Sequence, residues 1–106
     1  MLDNIRSAFN VGSIFRTAEA CGAGPILLCG MTAHPPNLKL AKTALGAEQS
    51  VAWERFKQTA DALDALDARG IPVVAVEIGP RAAVYAEFDW PPEVALLFGH
   101  EVTGIA

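Results

Sequence analysis

Three short runs of continuous apolar residues limit the fold of this chain more than any other feature: Pro25–Cys29, Pro72–Val76 and Val94–Phe98. Each run has the length of a strand, and none alternates polar with apolar residues as a half-exposed strand would. Segments with helical periodicity lie between them. Strands that are apolar on both sides are typical of a parallel sheet covered by helices. We therefore predict an α/β domain with a mostly parallel sheet and helices on both faces.

The clearest candidate for a functional helix is the segment 10–22, Asn-Val-Gly-Ser-Ile-Phe-Arg-Thr-Ala-Glu-Ala-Cys-Gly. At about 100° per residue, one arc is apolar and holds Val11, Ile14, Phe15, Ala18 and Cys21. A separate arc is polar and holds Asn10, Ser13, Arg16 and Thr17. We expect Asn10 to cap the amino end of this helix and Gly22 to end it. From these residues alone, a ligand site and a solvated surface explain the polar arc equally well.

The rest of the chain has patterns for further strands and helices. In chain order, the expected elements are the end of a strand within 1–9, a loop over 30–37, a short helix over 38–45, a strand over 51–56, a helix over 57–69 and an irregular segment over 79–92. In the helix over 57–69, we expect an inner stripe of Ala60, Leu63 and Leu66, with Asp61, Asp64 and Asp67 in solvent.

Composition narrows the class of protein further. The chain has 106 residues, 52% of them hydrophobic, which suits one small domain with a core. Its net charge of −4 provides no general attraction to nucleic acid, so any RNA contact must be local. The only cysteines, Cys21 and Cys29, lie in apolar surroundings and predict buried free thiols in a reducing compartment. With no signal peptide or membrane-spanning run, we expect a soluble cytoplasmic protein.

Several familiar site patterns fail. Gly22-Ala23-Gly24 follows a helix and precedes a strand, the reverse of the order in a dinucleotide-binding turn. His100-Glu101 resembles the start of a zinc-protease helix, but Gly104 stands where the second histidine would be. His34 lies in a proline-rich loop, where a solvated side chain is the simpler interpretation. We therefore predict no metal site.

A second candidate segment directly follows the last predicted strand: Leu96-Leu-Phe-Gly-His-Glu-Val-Thr-Gly. A glycine at the carboxyl end of a parallel strand, here Gly99, lets a ligand approach bare backbone. Glu101 would then place a carboxylate at the rim of that crevice. Considered alone, a glycine-rich turn with an exposed glutamate is the simpler interpretation.

Together the two segments are more specific. Asn-Val-Gly-Ser-Ile-Phe-Arg-Thr-Ala followed, about 85 residues later, by Leu-Leu-Phe-Gly-His-Glu-Val-Thr-Gly resembles the SpoU (TrmH-like) branch of the SPOUT RNA methyltransferases. The segments Asp3–Arg6 and Lys42–Ala47 also match that pattern. The resemblance covers the whole chain.

The resemblance implies a SPOUT-type α/β knot, a homodimer and methylation of a ribose 2′-hydroxyl of tRNA or rRNA by S-adenosylmethionine (AdoMet), with no membrane and no metal. The catalytic residues it implies are Asn10, Arg16 and Glu101. The residues it implies at the AdoMet pocket are Val76, Glu77, Gly99, His100 and Gly104. In such proteins the arginine often serves the active site of the opposite subunit.

The chemistry of Arg16 limits its role at such a site. Arginine stays protonated in almost any environment and is a poor base. We therefore expect Arg16 to hold an RNA phosphate and to stabilise the forming alkoxide. Asn10 would hold Arg16 or the ribose, and Glu101 would orient either of them.

Two departures from the family pattern matter. His100 occupies a position where the family commonly has asparagine, and the third family motif is absent before the chain ends at Ala106. We therefore expect residues 1–106 to be the amino-terminal and central part of a SpoU domain that lacks the knot segment. Alone, it should bind AdoMet weakly or not at all and expose an apolar face. Two alternatives stay open: a catalytically inactive RNA-binding or dimerisation fragment, or another small-molecule-binding α/β domain.

Overall fold

The computed structural model describes residues 1–76 and 93–99. The elements of these residues, in chain order, are β1 (Leu2–Asp3), α1 (Ala8–Cys21), β2 (Ile26–Cys29), α2 (Leu38–Ala44), α3 (Ala47–Ser50), β3 (Trp53–Phe56), α4 (Thr59–Ala68), β4 (Val73–Val76) and β5 (Ala95–Phe98). No described helix combines the length and hydrophobicity needed to cross a bilayer. The irregular segment expected over 79–92 lies outside the described residues.

The five described strands form one sheet in the order β3-β2-β1-β5-β4, and every neighbouring pair is parallel. The predicted parallel sheet is confirmed. From β1 the chain moves outward through β2 to β3, and it then returns on the other side of β1 to form β4 and β5. The direction of winding therefore reverses between β1 and β5. Such a reversal opens a crevice at the carboxyl edge of an α/β sheet.

Two core clusters lie on opposite faces of the sheet, which confirms that helices cover both. On one face, Phe15 of α1 and Leu40 of α2 pack against Leu2 and Leu28. On the other face, Leu66 of α4 packs in a cluster with strand residues that include Leu27, Cys29 and Leu97. Side chains of β2 therefore alternate between the two clusters, and the whole strand is buried.

Helix α1 begins earlier than the sequence predicts. Ser7, not Asn10, is the N-cap: it has extended backbone angles, and its Oγ accepts a hydrogen bond from Asn10 N at 3.2 Å. The prediction for the other end is confirmed, because Gly22 ends α1 in the left-handed conformation (φ 71°).

The prediction of two buried thiols is half wrong, because Cys21 is exposed in the last turn of α1 while Cys29 is buried.

Helices α1 and α2 make their closest approach at Gly12. A Cβ built on Gly12 would lie 2.1 Å from Leu40 O and 2.1 Å from Thr43 Oγ1. Thr43 Oγ1 also donates a hydrogen bond to Phe9 O at 2.6 Å across the same contact. The missing side chain therefore sets the spacing of the two helices.

Two other helix predictions need correction. In α4, Ala62 and Leu66 face the core, whereas Ala60 is exposed and Leu63 is 37% exposed. The expected inner stripe was therefore wrong at two of its three positions. The three aspartates of α4 are exposed, as predicted. Helix α2 ends at Ala44, and the chain then adds the single turn α3, which the sequence analysis did not predict.

Apolar side chains of β4 and β5 are exposed on the α1 face of the sheet. Leu97 belongs to the cluster on the α4 face, so its neighbours Leu96 and Phe98 point to the α1 face, together with Val76, which pairs with Phe98. The exposed fractions are 36% for Leu96, 36% for Phe98 and 41% for Val76. An exposed apolar face was expected from the sequence, and these side chains form one.

Candidate functional site

The carboxyl ends of three adjacent parallel strands meet at one edge of the sheet. Val76, the last residue of β4, pairs with Phe98 of β5, and Phe98 also pairs with Leu2 of β1. Gly99 directly follows β5. The structure thus places Val76 and Gly99 beside each other, next to the strand that leads into α1. This edge is where ligands bind in open α/β sheets.

The side chains of Asn4 and Thr32 form a set of hydrogen bonds, here called the latch, that joins the end of β1 to the end of β2. Asn4 adopts the left-handed conformation (φ 53°), its Oδ1 accepts from Met31 N at 2.9 Å, and its Nδ2 donates to Asp3 Oδ1 at 3.1 Å. Thr32 Oγ1 accepts from Ile5 N at 2.9 Å and donates to Leu2 O at 3.1 Å. The latch fixes the direction in which the chain leaves β1 and so positions the start of α1.

Asp3 and Cys29 are buried neighbours below this edge. They pair across β1 and β2, and Thr59 Oγ1 at the start of α4 donates a hydrogen bond to Asp3 Oδ1. Burial, reinforced by the Asp3 carboxylate, raises the pKa of the Cys29 thiol. A buried thiol with a raised pKa is a poor nucleophile, so Cys29 serves packing rather than chemistry.

The two predicted site residues of α1 are both exposed but do not lie together. Asn10 is in the first turn, near the carboxyl edge of the sheet. Arg16 is six residues further on, about 9 Å along the axis and roughly 120° around it. Among the described residues, Arg16 has no hydrogen-bonding or ion-pair partner. Its guanidinium is therefore available to a group from outside these residues.

Val76 and Gly99 have the properties that a cofactor pocket needs. Val76 offers a 41% exposed apolar side chain, and Gly99 has no side chain of its own to cover its backbone amide and carbonyl. The other predicted site residues, Glu77, His100, Glu101 and Gly104, lie outside the described residues. Their roles stay predictions.

A groove of about 490 Å³ lies at the opposite, amino edge of the sheet, between α1 and β5. Its walls include Ile14, Pro25, Ile71 and Leu96, and it is mainly apolar. The residues of the candidate site at Asn10, Val76 and Gly99 are not among its lining residues. The groove extends the exposed apolar face and is not the site predicted from the sequence.

The structure changes the interpretation of His34. The ring is half-buried and stacks on Trp53, with ring centroids 5.9 Å apart. Its Nδ1 lies 3.0 Å from Pro35 O. His34 is therefore a loop residue, as predicted, but its ring is half-buried against Trp53 rather than fully solvated. Within the described ranges, no group of three or more His, Cys, Asp or Glu side chains is close enough to hold a metal ion.

Sequence reasoning missed Asn4, Thr32 and Gly12 as residues that position the site. Gly12 carried a usable signal, because glycine is unfavourable inside a helix and usually marks a close contact there. Asn4 gave a weaker sequence signal, because asparagine tolerates the left-handed conformation better than most residues. Thr32 carried none, since its role depends on a pairing between β1 and β2 that only the fold creates.

Comparison with known proteins is consistent with this architecture. The chain is similar to the AdoMet-bound rRNA methyltransferase from Sinorhizobium meliloti, with a TM-score of 0.88 and 33% identity, covering 99% of this chain and 40% of that one. It is also similar to the SpoU methyltransferase AviRb from Streptomyces viridochromogenes in complex with AdoMet, with a TM-score of 0.84 and 29% identity, covering 99% of this chain and 43% of that one.

A curated relative gives the same result. The tRNA (guanosine(18)-2′-O)-methyltransferase of Escherichia coli is 27% identical over 107 residues, which cover 98% of this chain and 44% of the relative. The chain thus spans about two fifths of the length of these relatives. The family model described as the SpoU rRNA Methylase family matches residues 1–106. The chain therefore belongs to the SpoU methylase family.

Proposed function

We propose that this protein transfers a methyl group from AdoMet to a ribose 2′-hydroxyl of tRNA or rRNA. The observation that carries the proposal is the juxtaposition of Val76 and Gly99 at the carboxyl edge, beside the strand that leads to Asn10 and Arg16 on α1. Two solved relatives are described as bound to AdoMet, and the Escherichia coli relative as a ribose 2′-O-methyltransferase. These descriptions support the proposal for this chain.

The residues at the strand ends fit AdoMet. Gly99 offers backbone donor and acceptor groups with no side chain of its own beside them, and Val76 offers an exposed apolar surface for the adenine ring. By resemblance to the family, Glu77, His100 and Gly104 complete the pocket. When bound, AdoMet supplies a methyl group on a positively charged sulfur.

Arg16 then serves as a clamp for RNA. In the transfer, the ribose oxygen forms a bond to the methyl carbon, the carbon–sulfur bond breaks with its electron pair going to sulfur, and the hydroxyl proton goes to solvent. Much of the rate comes from alignment of oxygen and methyl carbon. An exposed guanidinium holds an adjacent phosphate and stabilises the charge that develops on oxygen. We propose that Asn10 and Glu101 orient the ribose and the Arg16 side chain that a second copy of the chain contributes.

The position of Arg16 supports a site shared between two copies of the chain. Because Arg16 lies about 9 Å beyond Asn10 along α1 and points in another direction, the two side chains do not face one crevice from one helix. Arg16 is exposed and reaches outward from the fold. We propose that it completes the site of a second subunit in a homodimer.

One alternative has an observation in its favour. The exposed apolar side chains Val76, Leu96 and Phe98 would favour association, as expected of an inactive RNA-binding or dimerisation fragment. A transfer assay separates this alternative from catalysis, because only an enzyme gives methylated product.

The test uses the protein as its gene encodes it, AdoMet labelled in the methyl group, and unmodified tRNA and rRNA. We expect label in RNA, recovered after nuclease digestion as a 2′-O-methylated nucleoside identified by mass spectrometry. Arg16→Gln should reduce the rate by about 10² or more, the size of losing one charge-stabilising donor. Its affinity for AdoMet, measured by calorimetry, should stay within about twofold of the wild type, because the clamp binds RNA rather than cofactor.

Arg69→Gln is the matched control, because Arg69 is exposed at the end of α4 and lines the groove at the opposite edge of the sheet. This variant should methylate at the wild-type rate. Label on a base, or undiminished transfer by Arg16→Gln, would contradict the proposed roles. RNA binding without any transfer would establish the inactive alternative.

A further inference from the structure

The described residues form a second cleft, beside the proposed methyl-transfer site, that is lined by both polar and apolar residues. It lies between the start of α1 and the start of α2, has a volume of about 620 Å³, and is lined by Arg6, Ser7, Ala8, Phe9, Asn10, Ala33, Asn37 and Lys39. None of these lining residues is acidic. The cleft shares Asn10 with the candidate site and extends away from it toward α2.

The two chain segments that line this cleft carry basic residues and no acidic ones. Residues 4–18 and 30–47, which form most of α1, α2 and the adjoining loops, contain Arg6, Arg16, Lys39 and Lys42 and no Asp or Glu. All four cations are exposed. In a chain with net charge −4, half of the eight basic residues thus lie in a region without any acidic residue. Lys39, which lines the cleft and is exposed, can therefore attract a phosphate, although the net charge of the whole chain does not favour a polyanion.

An exposed aromatic ring lies in the same cleft. Phe9 is 43% exposed, and its backbone is held by hydrogen bonds from Ser13 Oγ at 3.1 Å and Thr43 Oγ1 at 2.6 Å to its carbonyl oxygen. The ring is therefore presented from a fixed backbone. A cation beside an exposed ring is the combination that binds single-stranded nucleic acid, because the cation pairs with a phosphate and a base stacks on the ring.

We infer that this cleft binds one nucleotide unit of single-stranded RNA next to the methylated nucleotide, with the phosphate at Lys39 and the base on Phe9. The inference rests on the proposed function for the identity of the polymer. It adds a second RNA contact, at the α1–α2 junction, which positions the strand as it leaves the active site.

The experiment measures binding of a fluorescently labelled single-stranded RNA by anisotropy over a series of salt concentrations, with the protein as its gene encodes it. Lys39→Gln should weaken binding and reduce the slope of log K against log salt by about 0.7, the value for one phosphate contact on a single strand. Phe9→Leu should weaken binding about fivefold or more and leave the slope unchanged, because stacking releases no counterions.

Two controls test whether the effects belong to the cleft. Arg69→Gln removes an exposed cation at the opposite edge of the sheet. Leu45→Asn removes a 65% exposed apolar side chain that directly follows α2 and lies outside the cleft, at a left-handed position (φ 52°) that asparagine tolerates. Both controls should keep the affinity, and Arg69→Gln should keep the wild-type slope. The circular dichroism spectrum of each variant should match that of the wild type.

Methylation kinetics separate this inference from the proposed function. Lys39→Gln and Phe9→Leu should raise KM for RNA at least about threefold and leave kcat unchanged, as expected for groups that bind RNA outside the reacting centre. Wild-type affinity and KM in both variants, with methylation intact, would overturn the inference and leave the proposed function standing. A wild-type protein that neither binds nor methylates RNA would overturn both.

Discussion

Gly12→Ala is the sharpest test of how α2 is held against α1. In most helix interiors this change is favourable by about 1 kcal/mol, because alanine restricts the unfolded chain and suits a helix. Here the new Cβ would lie 2.1 Å from Leu40 O and 3.0 Å from Ala44 N. Both of these atoms belong to the backbone of α2, so no side chain can rotate away to make room.

The expected magnitude follows from these two terms. Relief of a 2.1 Å contact requires α2 to move by about 1 Å, and overpacking of this kind costs about 1–3 kcal/mol, with larger values where backbone must shift. The clash therefore outweighs the gain in helix propensity. With a clash at the upper end of this range and a gain of about 1 kcal/mol, we expect a net loss of about 1–2 kcal/mol, which lowers Tm by about 4–16 °C in a domain of this size.

The assay is thermal unfolding followed by circular dichroism, together with urea unfolding to obtain the midpoint. Ser13→Ala is the matched control, because Ser13 is the adjacent exposed residue and makes only an internal hydrogen bond to Phe9 O. Its stability should change by no more than about 0.5 kcal/mol. A Tm for Gly12→Ala equal to or above the wild-type value would refute the contact between the two helices.

Further predictions concern the thiols and the latch. Iodoacetamide at pH 8 should modify exposed Cys21 rapidly and buried Cys29 only after unfolding, as read by mass spectrometry; equal rates would contradict the burial of Cys29. Because burial raises the pKa of Cys29 above its ordinary value, its contribution to stability is complete below that value and is lost as pH rises above it; Cys29→Ala should flatten the alkaline decline of Tm. Asn4→Ala should destabilise by about 2 kcal/mol through a left-handed alanine and lost hydrogen bonds, and Asn4→Gly by about half as much; equal losses would show that conformation is not part of the cost.

Continuous apolar runs made the sheet predictable from sequence. Ile26 to Cys29 has no polar residue to mark one face, so the strand had to be buried on both sides, and the structure confirms this. Gly22 likewise marked the end of α1. Both signals are local. The apolar run lies within the strand that it predicts, and Gly22 occupies the left-handed position that it predicts.

Helix starts and helix faces were less predictable. Asn10 and Ser7 are both good N-caps, and no Glu or Gln three residues after Ser7 completed the pattern that would have favoured it. In α4, the alanine-rich sequence leaves the apolar direction poorly defined, so Ala62 could not be distinguished from Ala60 without the sheet it packs against.

The position of a candidate site residue could be predicted from sequence only where that residue lies at the end of a predicted strand. Val76 ends β4 and Gly99 directly follows β5, and the parallel register of these two strands brings the two residues together without further information. Arg16 is different, because its direction depends on how α1 packs, and no described residue forms a hydrogen bond or ion pair with it. The cleft at Phe9 and Lys39 combines two segments about 30 residues apart in sequence, so no local pattern could reveal it.

AdoMet is proposed to bind at the carboxyl ends of β4 and β5. Hydrogen exchange followed by mass spectrometry, with and without AdoMet, tests it directly in the protein as its gene encodes it. We predict slower exchange in the peptides that contain Val76 and Gly99, and no change in α4 at Thr59–Ala68. Protection confined to the amino-edge groove around Pro25 and Ile71, or AdoMet binding with no change at either strand end, would contradict the account.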